Sequence, residues 1–209
     1  MIAIIDYKAG NLTSVKLAFE TLGVSAQVTS EPEIIQKAER VVFPGVGAAA
    51  SAMDNLQALN LIPTIKDVVK AKTPFLGICL GTQIILEFSE EDGGVKTLGL
   101  IPGKVIRFTP ADRKDKVPHM GWNRVQATQK HPILAGIPSQ SEFYFVHSYY
   151  PVPSDPRYTF AQTTYANVTF AAALGHKNVF ATQFHPEKSG RIGLQLLQNF
   201  INWTPEGDA

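Results

Sequence analysis

A single cysteine, Cys79, stands among 209 residues. No disulfide can form within the chain, and a reducing, cytoplasmic setting is expected. A dominant charge is also missing: 19 Lys and Arg against 18 Asp and Glu leave a net +1. That balance gives no electrostatic basis for binding nucleic acid or an acidic membrane surface. No apolar run approaches the roughly 20 residues of a membrane-spanning helix. The opening Met1-Ile2-Ala3-Ile4-Ile5-Asp6 carries no basic residues before its short apolar run and reads as a first strand, not a leader. Neither internal repeats nor low-complexity segments occur. Of the five histidines, His119, His131 and His176 lack metal-ligand spacing, so neither a metal nor another cofactor is expected.

What the chain does have is core material. A 44% hydrophobic content suits one large domain, expected over 1–203, with Thr204 to Ala209 as a tail. Ile2 to Ile5, Ser25 to Thr29 and Arg40 to Phe43 read as strands, and Leu12 to Leu22 and Glu31 to Ala38 as the helices between them. Asn11 or Thr13 is placed to cap the first helix and Gly23 to stop it. Helices follow over Ala48 to Leu56 and Ile62 to Ala71. Such regular alternation implies βαβ units and a parallel sheet.

After about Ser89 the texture changes. Val95 to Phe108, Gly121 to Gln126, Phe143 to Val146, Tyr158 to Thr164, Thr169 to Leu174 and Val179 to Gln183 are short β-like runs separated by turn residues. Gly190 to Trp203 closes the chain as an amphipathic helix, with Ile192, Leu196, Phe200 and Trp203 on one face. The expected fold is therefore α/β: a central, mostly parallel sheet flanked by helices, with an antiparallel or mixed β elaboration.

Cys79 lies where the apolar strand Phe75 to Ile78 gives way to a helical spacing, Leu80, Ile84, Ile85 and Phe88. Gly77 and Gly81 flank it two residues away on each side, a thiol version of the nucleophile elbow. Glycines let neighbouring backbone approach such a sharp turn, and a helix N-terminus favours the thiolate. A lone cysteine is also often a plain core residue; the paired glycines favour reactivity.

A thiolate nucleophile needs a base, and the base needs an orienting group. His185, in Phe184-His185-Pro186-Glu187-Lys188, follows a strand, and in extended backbone Glu187 lies on its side of the chain. Glu187 can fix the imidazole tautomer and leave the other nitrogen for sulfur. Taken alone, the segment better describes an ordinary loop histidine.

Gly77-Ile78-Cys79-Leu80-Gly81, the His185-Pro186-Glu187 pair and Pro44-Gly45-Val46-Gly47 together resemble the class I (triad) glutamine amidotransferases, with their flavodoxin-like fold. Pro118-His119-Met120-Gly121-Trp122-Asn123 and Tyr144-Phe145-Val146-His147-Ser148-Tyr149 are similar, more narrowly, to the glutaminase subunits of imidazole glycerol phosphate synthases. The similarity runs from Asp6-Tyr7-Lys8-Ala9-Gly10-Asn11 to the last helix. Lys8 and Thr82 depart from the usual Gly and Met.

The resemblance implies that Cys79 attacks the carboxamide of L-glutamine, that His185 moves the protons and that Glu187 orients it. It implies oxyanion donors at the Leu80 amide and in the Gly45-Val46-Gly47 backbone, whose glycines let a peptide turn over when a partner docks. Gln83, Glu91 and the Ser148-Tyr149 backbone would bind glutamine. Trp122, Asn123, Tyr144 and Lys188 would dock a cyclase subunit in a heterodimer. Rival readings are another triad amidotransferase component, such as that for pyridoxal phosphate or anthranilate, and a non-catalytic homologue.

Overall fold

The computed structural model describes residues 1–8, 10–112 and 114–205. Ala9, and the last four residues of the expected tail, 206–209, lie outside the described residues.

Strand β1 (Ile2–Ile5) is apolar at every position because helices cover both of its faces. Ile2 and Ile4 face a core built with Val15, Phe19, Leu196 and Phe200. Ala3 and Ile5 face another, with Ile35, Leu56, Ile65 and Ile84. The first core is covered by α1 (Leu12–Thr21) and α6 (Gly190–Asn202). The second is covered by α2 (Pro32–Lys37), α3 (Ala49–Ala58), α4 (Leu61–Lys70) and α5 (Leu80–Ile84). Helix α1 ends as expected at Gly23, whose φ of 76° lets its N–H reach Glu20 O and the Val24 N–H return to Phe19 O.

Among the described residues the main sheet has nine strands. Its parallel half runs β2 (Ala26–Thr29), β1, β3 (Arg40–Gly45), β4 (Phe75–Cys79) and β13 (Val179–Thr182). The antiparallel half continues with β12 (Val168–His176), β11 (Thr159–Tyr165), β8 (His119–Ala127) and β9 (Ser141–His147). A second sheet orders β10 (Tyr149–Pro153), β7 (Gly103–Arg107), β5 (Phe88–Ser89) and β6 (Val95–Lys96). The expected mixture of parallel core and antiparallel elaboration is thus present. The carboxyl ends of β3, β4 and β13 lie side by side, the position where doubly wound sheets bind ligands. Among the described residues no helix is long and apolar enough to cross a membrane.

Four local expectations need correction. Helix α5 stops at Ile84 instead of running to Phe88: Ile85 and Leu86 are fully buried in the turn that follows, and Phe88 begins a strand. The run Val95 to Phe108 is two strands, parted by a loop whose Leu98, Leu100 and Ile101 amides bond back to Ile84 and Ile85. Strand β10 is additional to those read from the sequence. Asn11, at φ 70°, precedes α1 but makes no side-chain cap.

Candidate active site

Cys79 sits at the hinge of β4 and α5 with φ 55° and ψ −107°, a conformation that a non-glycine residue holds only under strain. The surroundings enforce it. A side chain at position 81 would run into the carbonyl of Phe43, and one at position 77 would press on Ala181. The sharp turn leaves Cys79 lining a cleft of about 320 Å³ together with Val46, Gly47, Leu80, Gln83 and Glu91, and with Pro118 and Val146 to Tyr149. The thiol donates to the carbonyl of Val146 at 3.9 Å and accepts from the Gln183 amide at 3.8 Å.

His185 follows β13, the neighbour of β4, so 106 positions of sequence separation close across one strand pair. Its Nδ1 lies 2.7 Å from Glu187 Oε1, and both side chains are buried. The Asn11 amide donates to the same oxygen at 2.8 Å, the role its side chain takes in place of capping. A 3-10 turn over Pro186–Lys188 brings His185 and Glu187 to one side. Ser189 fixes that turn: its hydroxyl donates to the His185 carbonyl at 2.6 Å and accepts from the Tyr144 amide at 3.0 Å. Nε2 of His185 is the ring nitrogen left without a hydrogen bond among the described residues. Burial opposes charge on this ring. The Cys79 sulfur and then the Glu187 carboxylate override it, and its pKa is pushed up to about 10. The geometry therefore favours a cysteine beside an imidazolium, held by an oriented carboxylate.

The other expected site residues divide into groups. Leu80 is the first residue of α5, and its amide belongs to the free N-terminal set of that helix. Gly45 stands in register with Cys79 on the neighbouring strand. A side chain there would strike the hydroxyl of Tyr7, a buried group with no hydrogen-bond partner among the described residues. Val46 and Gly47 continue into the cleft, and Val46 also rests against Gly10.

Gln83 donates to the Tyr149 carbonyl at 2.9 Å and to Gln183 Oε1 at 3.0 Å. Glu91 accepts from the Ala49 amide, at the start of α3, at 2.7 Å; burial, outweighing that bond, holds its carboxyl above the ordinary range. Half-buried Tyr144 lies between two exposed residues, with Trp122 edge-on to it at 6.1 Å and the Lys188 ammonium 5.9 Å from its ring centre. Asn123 does not join them, since its amide turns to His119 and the Thr164 carbonyl.

The sequence alone does not single out Asn11, Gln183, Ser189 or Tyr7 for this chemistry. Only Asn11 and Tyr7 carried a signal, as members of the resemblance-bearing stretch Asp6 to Asn11. Among the described residues no group of three or more His, Cys, Asp or Glu side chains could hold a metal ion.

A cysteine on an elbow, with a His–Glu pair on the adjacent strand end, is the arrangement that thiol-dependent acyl transfer requires. Residues 3–203 match the family described as glutamine amidotransferase class-I, and the chain belongs to that family. The fold agrees with the structure of PurLQS from Thermotoga maritima, with a TM-score of 0.73 at 15% identity, covering 96% of this chain and 97% of that one. Closer in sequence is the imidazole glycerol phosphate synthase subunit HisH of Nitrosococcus oceani, 50% identical over 204 residues and 97% of each chain. The subunit of the same name from Methylococcus capsulatus is 49% identical over 212 residues, covering 98% of this chain and 97% of its own.

Proposed function

We propose that this chain is the glutaminase subunit of an imidazole glycerol phosphate synthase, supplying ammonia for histidine biosynthesis in the cytoplasm. The observation that carries the reading is the Cys79 elbow beside the His185–Glu187 pair, in a chain about half identical to HisH subunits throughout its length. The unit acting is a single catalytic domain over 1–203.

Sulfur attacks the side-chain carbonyl carbon of L-glutamine, and a tetrahedral oxyanion forms. The Leu80 amide and an amide of Gly45-Val46-Gly47 donate to it. As the C–N bond breaks, His185 gives its proton to the nitrogen, releasing ammonia and leaving a γ-glutamyl thioester. His185 then takes a proton from water as the water oxygen attacks the thioester carbon, and glutamate departs from the sulfur. Glu187, held by Asn11, keeps the imidazole in one orientation and stabilises its charged form. Glu91 pairs with the substrate ammonium, Gln83 lines the same cleft, and the Ser148-Tyr149 backbone receives the carboxylate.

A cyclase subunit docks on Trp122, Tyr144 and Lys188, with Asn123 beneath them, and takes up the ammonia in a heterodimer. The oxyanion donor in Gly45-Val46-Gly47 is turned into place on docking, so the isolated chain hydrolyses glutamine slowly.

The test is Cys79→Ser in the assembled complex. Glutamate release from glutamine should vanish while synthesis from added ammonium persists. Normal glutamine-dependent turnover by this variant would overturn the reading.

A further inference from the structure

Two buried histidines outside the His185–Glu187 pair face each other across β8 and β9. His119 and His147 are direct partners in the strand register, 3% and 6% exposed. His119 is clasped between Phe145 and Tyr165, at ring-centre distances of 4.9 and 4.0 Å. Aromatic packing alone would be served as well by phenylalanine. The imidazoles are instead used for their nitrogens.

The hydrogen bonds run in one direction, and chemistry fixes that direction. His147 Nδ1 lies 2.7 Å from the Tyr149 carbonyl, which can only accept, so Nδ1 carries the proton. Burial, against the bond to that carbonyl, pushes His147 down to about 3, so the ring is neutral and its Nε2 is an acceptor. The donor facing Nε2 is then His119 Nδ1, at 3.0 Å. Burial likewise lowers His119 to about 4, which leaves its own Nε2 to accept from the Asn123 amide at 3.3 Å. Asn123 shares the inner face of β8 with His119, directly behind the outer face that carries Met120 and Trp122, which are 63% and 55% exposed.

At the inner end, the Tyr149 carbonyl also accepts from Gln83, which in turn donates to Gln183, whose amide donates to the Cys79 sulfur. One unbroken series of hydrogen bonds therefore joins an exposed strand to the cleft.

We propose that His119 and His147 are positioning residues. They lock the Ser148-Tyr149 backbone of the glutamine site to Asn123, so that a partner seated on the Met120–Trp122 face sets the geometry of the site through them. The inference rests on the proposed glutaminase function and adds to it the route by which the docking face acts on substrate binding. A shift of β8 against β9 cannot be absorbed locally. His119 has no room between its flanking rings, and its loss as a donor leaves a buried lone pair on His147 unpaired.

The test compares His119→Phe with His119→Gln in the complex with a cyclase partner. Phenylalanine keeps the stack and removes both nitrogens; glutamine restores one donor and one acceptor. His119→Phe should raise KM for glutamine about tenfold and reduce the partner-stimulated to basal ratio about tenfold, leaving ammonium-dependent synthesis unaltered. His119→Gln should recover both within about threefold. Wild-type KM and stimulation in a folded His119→Phe variant would overturn the proposal, as would equal losses in both variants.

If His119→Phe fails to fold, nitrogen-15 NMR of the wild-type imidazoles decides. Both rings should be neutral with Nδ1 protonated, and their signals should move when the partner binds. Protonation at Nε2, or signals indifferent to the partner, would refute it. A wild-type complex that releases no glutamate would instead defeat the glutaminase reading itself, and the two failures are therefore distinct.

Discussion

Replacing Asn11 by glycine removes one hydrogen bond from the most enclosed carboxylate of the site. The Asn11 amide donates at 2.8 Å to Glu187 Oε1, while Oε2 has no partner among the described residues and the Glu187 side chain is fully buried. A hydrogen bond to a charged group contributes about 1.5–3 kcal/mol, more when its loss leaves a buried acceptor unsatisfied. Asn11 holds φ 70°, which glycine adopts freely and alanine does not. Asn11→Gly thus reports the hydrogen bond, plus a few tenths to about 1 kcal/mol for added freedom of the unfolded chain. Asn11→Ala adds roughly 1–2 kcal/mol for the left-handed backbone.

The expected losses are about 2–4 kcal/mol for glycine and about 1 kcal/mol more for alanine, read by urea denaturation. Each kcal/mol corresponds to roughly 2–4 °C in Tm for a domain of this size. The effect on kcat should be smaller, less than about tenfold. His185 is already held up to about 10, so Glu187 faces an imidazolium before the reaction as well as during it. An interaction made equally in both states changes stability more than rate. A glycine variant as stable as the wild type would show that Asn11 does not hold the carboxylate. A rate loss of several hundredfold at undiminished stability would show that Asn11 takes part in the chemistry.

Other outcomes follow from neighbouring groups. Glu187→Gln should lower the His185 pKa from about 10, so the alkaline limb of kcat/KM moves toward neutral pH. In the wild type, this raised pKa contributes stability that is full below about 6.5 and is lost as pH rises through about 10. The stability gap between wild type and Glu187→Gln should therefore narrow across that window, and a constant gap would contradict the assignment. Tyr7→Phe removes a buried hydroxyl that has no partner among the described residues, and should raise stability by about 1 kcal/mol; a loss of similar size would mean that the hydroxyl is bonded. Lys188→Ala and Trp122→Ala should weaken cyclase binding in titration calorimetry without altering Cys79 labelling by a glutamine-analogue electrophile; unchanged affinity would remove these residues from the interface.

The inner parallel strands were legible because they are buried on both faces and read as apolar runs, as Ile2–Ile5 does. The elbow was legible through the glycine spacing around Cys79. Strand β10 was not, because Pro151 and Pro153 look like breakers. It is an edge strand of the second sheet, where proline is tolerated. The end of helix α5 is not legible, because the apolar run Ile84, Ile85 and Leu86 is buried in a turn as fully as it would be in a helix, and an apolar run does not reveal whether it coils or turns. Asn11 and Glu187 lie 176 positions apart and meet only once α1 is docked near the Pro186–Lys188 turn. The His119–His147 pair likewise depends on strand register, which the spacing of 28 residues does not encode.

Trapping the acyl intermediate tests the central claim, that Cys79 is the nucleophile of a glutaminase, most directly. The chain, turning over glutamine with its cyclase partner, would be quenched in acid and its intact mass and peptides measured. One γ-glutamyl adduct, located at Cys79 and discharged by hydroxylamine, is the predicted result. Continued glutamate release with no adduct detectable under single-turnover quench, or with the adduct on another residue, would contradict it.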